Sequence, residues 1–340
     1  MGYRPRWRAQ ACSRGRRYGV APERAGSSAE TGGSGAATQD ERIDTSRWRG
    51  RFILAGIAVV AVVSVVVSAV LLQRPSHDRD WEFGFERLPS VTVADGVLSI
   101  QNLRDYRLDD DGAVQPGFVD RSLRLNDIER AWFLVEPFPA LPVEGFKGVA
   151  HTYFAFDVRG QPPITVSIEA RRERGETFGL GKGLLNQFEL MYIWATEEDT
   201  TVKRVLDQRN DLYMFPLTIP KKSAIRLVER LAATTAALER EPRFYNSLTS
   251  NCTTELADAA NSVRPGAIPV SIAWWLPGYS VEQLYHLGYI PHDRPLEEIR
   301  QRYYISGLVR QIHAAPDFSS RLRAALTDEQ SQPSEDVDAE

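Results

Sequence analysis

"DLYMFPLTIPKKSAIRLVERLAATTAALERE" (Asp211–Glu241) is the stretch where the chain changes character. Its first nine residues are rich in aromatic and aliphatic types and read as a strand. From Lys221 onward, Ile225, Leu227, Val228, Leu231, Ala232 and Leu238 recur at helical spacing until Pro242 stops the pattern. Upstream the pieces are strand-like. "VTVADGVLSIQNL" alternates around Asp95-Gly96, a two-residue hairpin signal, and "AWFLVEPF", "AHTYFAFDV", "ITVSIEARRE" and "FELMYIWAT" follow, with Gly145, Gly148, Gly160 and Pro162-Pro163 between some of them. Downstream, "CTTELADAA" reads as a helix ending before Pro265, and "LEEIRQRYYISGLVRQIHA" as one more helix. Strands first and helices afterwards predict an α+β domain.

Further out lies "FILAGIAVVAVVSVVVSAVLL" (Phe52–Leu72), without a charge or a proline. At about 1.5 Å per residue it matches the roughly 30 Å hydrocarbon core of a bilayer and is read as an uncleaved anchor. Arg47, Arg49 and Arg51 crowd its N-terminal flank, so the positive-inside rule places residues 1–51 in the cytoplasm and 73–340 in the periplasm. The two sides differ in charge. Residues 1–51 hold eleven Arg and five acids, whereas the rest carries 30 basic and 40 acidic residues, which excludes a basic nucleic-acid-binding domain. The expected organisation is a disordered Arg/Gly/Ser-rich tail (1–51), a membrane helix (52–72), a folded periplasmic domain (73–320) and an acidic flexible tail (321–340).

That orientation separates the two cysteines, Cys12 inside and Cys252 outside, so they cannot pair within one chain. In "FYNSLTSNCTTELADAAN" (Phe244–Asn261), Asn251 is a strong N-cap candidate and Cys252 falls in the first helical turn. There, unpaired N–H groups and the helix dipole favour a thiolate, and the same amides could hold an oxyanion. Glu255 is expected to complete a capping-box contact. The bland alternative is a small apolar side chain tucked under the helix start. Among the exported histidines, His77 reads as solvated, His286 and His292 lack a third metal-ligand type, and His313 closes a helix. His151 opens a strand after a glycine-containing turn. Glu169 lies on the polar face of the next strand with Thr165 and Ser167, within reach of His151 if the register fits, or paired with Arg171. Trp274, Trp275 and Leu276 read as core, with an apolar groove or interfacial anchors as the alternatives. No phosphate-binding Gly loop or clustered metal ligands indicate a cofactor.

The runs "FYNSLTSNCTTELADAAN", "GVAHTYFAFDV", "VSIEARRERGE", "FELMYIWATEED" and "YMFPLTIP" together resemble the Lnb N-terminal periplasmic domain family over about residues 90–290. Their most specific piece is Asn-Cys-Thr-Thr preceded by Phe-Tyr-Asn. That family is similar to permuted papain-like thiol enzymes of the NlpC/P60 group, in which His precedes Cys along the chain. The resemblance implies an antiparallel sheet and a Cys-bearing helix. It makes Cys252 the nucleophile, His151 the base and Glu169 the third residue, with Asn251, Tyr245 and Thr253 supporting the site. The expected function is acyl transfer or hydrolysis at an ester or amide by an inner-membrane-anchored periplasmic enzyme, with lipoprotein or lipid-linked substrates. Peptidoglycan stem peptides and a non-catalytic envelope interaction module are the alternatives.

Overall fold

In the computed structural model the described residues are 45–108, 113–138 and 148–328. The expected disordered residues up to 44, with Cys12, and the acidic tail from 329 lie outside them. Helix α1 (Thr45–Leu72) contains a 22-residue apolar stretch, Arg51–Leu72, long enough to cross a membrane, and it is one such helix among the described residues. Its apolar side chains are exposed along its length.

The domain that follows begins with β1 (Ser90–Ala94) and β2 (Val97–Arg104). They pair through the expected turn, in which Asp95 and Gly96 both take positive φ, 50° and 73°. A small ribbon, β3 (Arg107–Leu108) and β4 (Val114–Gln115), precedes β5 (Phe118–Arg124). Three long strands form the middle of the main sheet together with a fourth: β6 (Ile128–Pro137), β7 (Ala150–Val158) and β8 (Gln161–Arg171), then, after the short α2 (Leu180–Leu184), β9 (Phe188–Thr196). Helix α3 (Glu197–Val202) runs into a π turn at Lys203–Asp207, and β10 (Tyr213–Pro216) closes the strand-rich half.

Helix α4 (Lys221–Arg240), strand β11 (Phe244–Tyr245) and helix α5 (Cys252–Val263) come next. The sheet order is β1-β2-β9-β8-β7-β6-β10, with β5 also on β2 and β11 also on β9. All pairings are antiparallel except β2 with β9, which meet in parallel at Arg104 and Ala195. The sheet is therefore mixed rather than antiparallel throughout. Arg104 explains that join: its Nε and Nη2 clasp Asp199 at the start of α3, at 2.9 and 2.7 Å, pinning the end of β2 beside the end of β9.

Strands β7, β8 and β9 are buried on both faces, which is why they read as near-continuous apolar runs. On one face Phe133, Phe154, Val166 and Trp194 pack beneath α4 and α5, where Trp194 donates to Thr235 at 2.8 Å. The other face carries Thr165, Ser167, Ile193 and Ala195. It is covered by α3, the π turn and a segment around Trp81 and Phe85. This segment corrects the reading of His77 as solvated. His77 is half-buried, its Nε2 donating to the Leu238 carbonyl at 2.9 Å.

The C-terminal part holds α6 (Ser280–His286), α7 (Leu296–Arg302), α8 (Ser306–Ile312) and α9 (Phe318–Asp328). The single helix expected from Leu296 is two. Tyr303 O accepts from Met214 N and Ile305 N donates to Leu212 O, both at 2.9 Å, so Tyr303–Ile305 serves as an extended partner of the β10 edge. Helix α9 carries buried Phe318, Leu322 and Leu326, and packing extends past residue 320.

Candidate active site

Strand β7 pairs with β8 so that Tyr153 faces Ser167, and one step further in this register His151 faces Glu169. Both residues lie on the face opposite α5. His151 is the second residue of β7 and Cys252 the first of α5, and with Glu169 they line one cleft. Cys252 and His151 are both buried and close enough that each shifts the ionisation of the other. Ring atom Nε2 of His151 donates to Ser167 Oγ at 2.7 Å and lies 3.2 Å from Glu169 Oε1. Ser167 Oγ in turn donates to Glu169 Oε1 at 2.6 Å. With Nε2 so engaged, Nδ1 is the ring nitrogen left for the thiol.

Electrostatics follow from this geometry. Burial opposes a charge on His151, but the Glu169 carboxylate and the contact with Cys252 outweigh it, pushing the imidazole up to about 10. Burial likewise raises the Cys252 thiol, yet the contact with His151 and its charge, with smaller help from the Thr152 N–H and hydroxyl, bring it below its ordinary value. The Glu169 carboxyl is resisted by burial and held well below the usual carboxylate range by His151, Arg204 and Ser167. The three groups thus favour a thiolate, an imidazolium and a carboxylate together.

Asn251 is the N-cap of α5. Its Oδ1 accepts from Thr253 N at 2.9 Å and Thr254 N at 3.0 Å, while Nδ2 donates to Ser247 O and Trp274 O. Two of the amides expected to be free at the helix start are therefore occupied. The capping box is closed by Thr254, whose Oγ1 accepts from Asn251 N at 2.8 Å, and not by Glu255. Glu255 points away to Tyr192 Oη, at 2.7 Å, and to Arg243 and Ser250. Thr253 Oγ1 contacts Thr152 Oγ1 at 3.2 Å and Cys252 Sγ at 3.9 Å, locking α5 to β7. Tyr245 lines the same cleft as Cys252, and burial, with the charges of Cys252 and Glu169, pushes its phenol up so that it stays a donor.

Arg204 is the principal residue that sequence reading missed. From the π turn it donates to Glu136 Oε2 at 2.7 Å, Glu169 Oε1 at 2.9 Å, Ser167 Oγ at 3.2 Å and Thr200 O at 3.0 Å, with its guanidinium over the Tyr153 ring at 4.6 Å. Asn210 bonds the other oxygen of Glu136. Glu136 stands opposite His151 across β6 and β7. A carboxylate at the end of the apolar "AWFLVEP" strand was the one available hint. Nothing in the sequence ties it to a basic residue 68 positions later.

Cys252, His151 and Glu169 open on a cleft of about 540 Å³ whose walls include Phe83, Phe85, Phe178, Leu180, Lys203 and Trp275. The reading of the tryptophans as core is corrected here: Trp274 is half-buried and Trp275 is 40% exposed at the cleft. On the other side of α5, a second pocket of about 260 Å³ is lined mainly by apolar side chains, among them Phe133, Phe154, Leu256 and Leu284. Among the described residues no group of three or more His, Cys, Asp or Glu is placed to hold a metal ion.

Residues 115–278 match the family model of the Lnb N-terminal periplasmic domain. No curated protein and no solved structure gives a significant match. The matched stretch contains β5 to β11, α5 and every member of the constellation just described, so it is over residues 115–278 that this chain is similar to the Lnb N-terminal periplasmic domain.

Proposed function

We propose that the protein is a thiol acyltransferase or hydrolase, anchored in the inner membrane by α1 with residues 1–51 cytoplasmic and the domain periplasmic. The observation that carries this reading is the gathering of Cys252, His151 and Glu169 at one cleft, with the His151 ring held by Ser167 and Glu169. The family match and the apolar helix support the location. His151 takes the thiol proton and the thiolate attacks the carbonyl carbon of an ester or amide. The resulting oxyanion is met by the Cys252 N–H and the Tyr245 hydroxyl, since Asn251 holds the neighbouring amides. His151 then protonates the leaving alcohol or amine, leaving a thioester on Cys252. Water, or an acceptor amine or alcohol deprotonated by His151, releases the acyl group and restores the thiol.

The mainly apolar pocket flanking α5 and the membrane anchor favour lipid-linked acyl donors, lipoproteins included. Against that, the cleft over Cys252 is lined by Lys203, Glu82 and Arg172 as well as aromatics, a surface equally suited to peptidoglycan stem peptides. A simple chromogenic ester separates enzyme from interaction module. The parent chain is expected to release a burst of alcohol and gain one acyl mass on Cys252, with Cys252→Ala abolishing both and His151→Ala slowing the burst at least about a hundredfold. Equal release by all three would leave a non-catalytic module.

A further inference from the structure

The chain between the anchor and the domain is short and tied down. Helix α1 ends at Leu72, and by Ser76 the backbone is already bonded to the domain, its N–H donating to Glu189 Oε1 at 3.2 Å. Only residues 73–75 intervene, a reach of about 10–14 Å even when extended. Gln73 is engaged as well. With its amide nitrogen facing them, it donates to Leu185 O at 3.0 Å and Asn186 O at 3.2 Å. The part of the domain beside Leu185 must therefore lie close to the bilayer surface if α1 spans it.

That part is apolar. Leu180, Leu184 and Leu185 on and after α2 are 41–44% exposed, Leu248 is 53% exposed and Trp275 40%. Hydrogen bonds show that these residues are neighbours. Ser247 Oγ donates to Leu180 O, Asn246 Nδ2 to Leu184 O, and Trp275 Nε1 to Leu248 O. Leu180 and Trp275 also line the cleft over Cys252, so the patch forms one side of its mouth. Lys182 lies on α2 among the leucines and Arg74 follows Gln73, and leucines, a tryptophan and basic residues together are the composition of a membrane-interface surface. A contiguous group of half-exposed leucines facing water would be an aggregation liability.

We infer that the domain rests on the bilayer through this rim, with Leu180, Leu184, Leu185, Leu248 and Trp275 sunk into the headgroup layer and the mouth of the Cys252 cleft held against the lipid surface. The inference rests on the membrane reading of α1 and is independent of the thiol chemistry. Full-length protein carrying Cys12→Ser and Cys252→Ser is placed in phosphatidylethanolamine–phosphatidylglycerol vesicles, and a nitroxide is attached at Leu184→Cys, Leu248→Cys or Arg159→Cys. Arg159 lies beyond the opposite end of β7 from His151 and is the aqueous reference. The labels at 184 and 248 are expected to collide more with oxygen than with a water-soluble nickel chelate, and the label at 159 the reverse. If all three behave like the one at 159, the rim does not touch lipid. Should a labelled variant fail to fold, quenching of tryptophan fluorescence by acyl-brominated lipids replaces it: Trp275→Phe should remove part of the quenching, and unchanged quenching overturns the proposal. Release of the chain from vesicles by alkaline carbonate would instead remove the anchor premise, and the proposal with it.

Discussion

At the scale of single residues, the candidate site sets a buried sulfur beside an imidazole whose ring is held by a carboxylate. The thiol is lowered and the imidazole raised to about 10, so the charged pair is expected from below the ordinary thiol range up to near pH 10. Alkylation of Cys252 by iodoacetamide should therefore stay fast at neutral pH. In His151→Ala the inflection of the rate against pH should rise by at least about one unit, a tenfold loss at pH 7. Stopped-flow alkylation from pH 5 to 10 checks this, and coincident profiles would mean that the thiol is not activated by the ring. Glu169 was legible only conditionally, because spacing cannot say whether a strand register brings it to His151 or to Arg171. The answer, His151 with Arg204 behind it, is a property of the pairing.

Among the secondary-structure elements, the π turn after α3 has a role that no periodicity announces. Its extra backbone width turns Arg204 inward, where one guanidinium braces Glu136 on β6 and Ser167 and Glu169 on β8. Arg204→Met leaves two carboxylates without their counter-ion in the interior and should cost about 3–5 kcal/mol in urea unfolding. Arg204→Lys keeps the charge but cannot span both sides, so it should fold better and still raise the alkylation inflection. A lysine variant with the parental inflection would reduce Arg204 to a stability role. Helix α5, by contrast, was legible to its ends, since an Asn cap and a following Pro are local signals. What it lacked was the identity of its capping-box partner: Glu255 had a stronger claim from Tyr192 and Arg243.

For the molecule as a whole, the segment after α1 is part of the fold. Arg171 stacks on Trp81 at 3.8 Å and donates to Phe85 O at 2.8 Å and Glu86 O at 3.1 Å, while Arg79 bridges Glu173 and Glu189. Phe83 and Phe85 then form a wall of the Cys252 cleft. Arg171→Ala should release this strap: limited trypsin digestion of the membrane-bound chain is expected to cut at Arg74–Arg87 several times faster, with the body of the domain still resistant. An unchanged digestion pattern would mean that the strap is held mainly by its apolar contacts. Sequence reading took His77 as solvated because a short polar run has no periodicity and the partners of this segment, Leu238 and Glu189, lie more than a hundred residues away.

The amino-acid sequence by itself determined the long apolar helix, the strands followed by helices, the hairpin at Asp95-Gly96 and the cysteine at a capped helix start. Each of these is set by signals within a few residues: hydrophobic period, turn chemistry and cap. Tertiary structure decided the parallel join of β2 to β9, the meeting of His151 with Cys252, the insertion of Ser167 and Arg204 behind them, and the apolar rim beside the cleft. These depend on strand register and on charges buried across long stretches of chain, and such pairings become favourable only once the sheet has excluded water from around them.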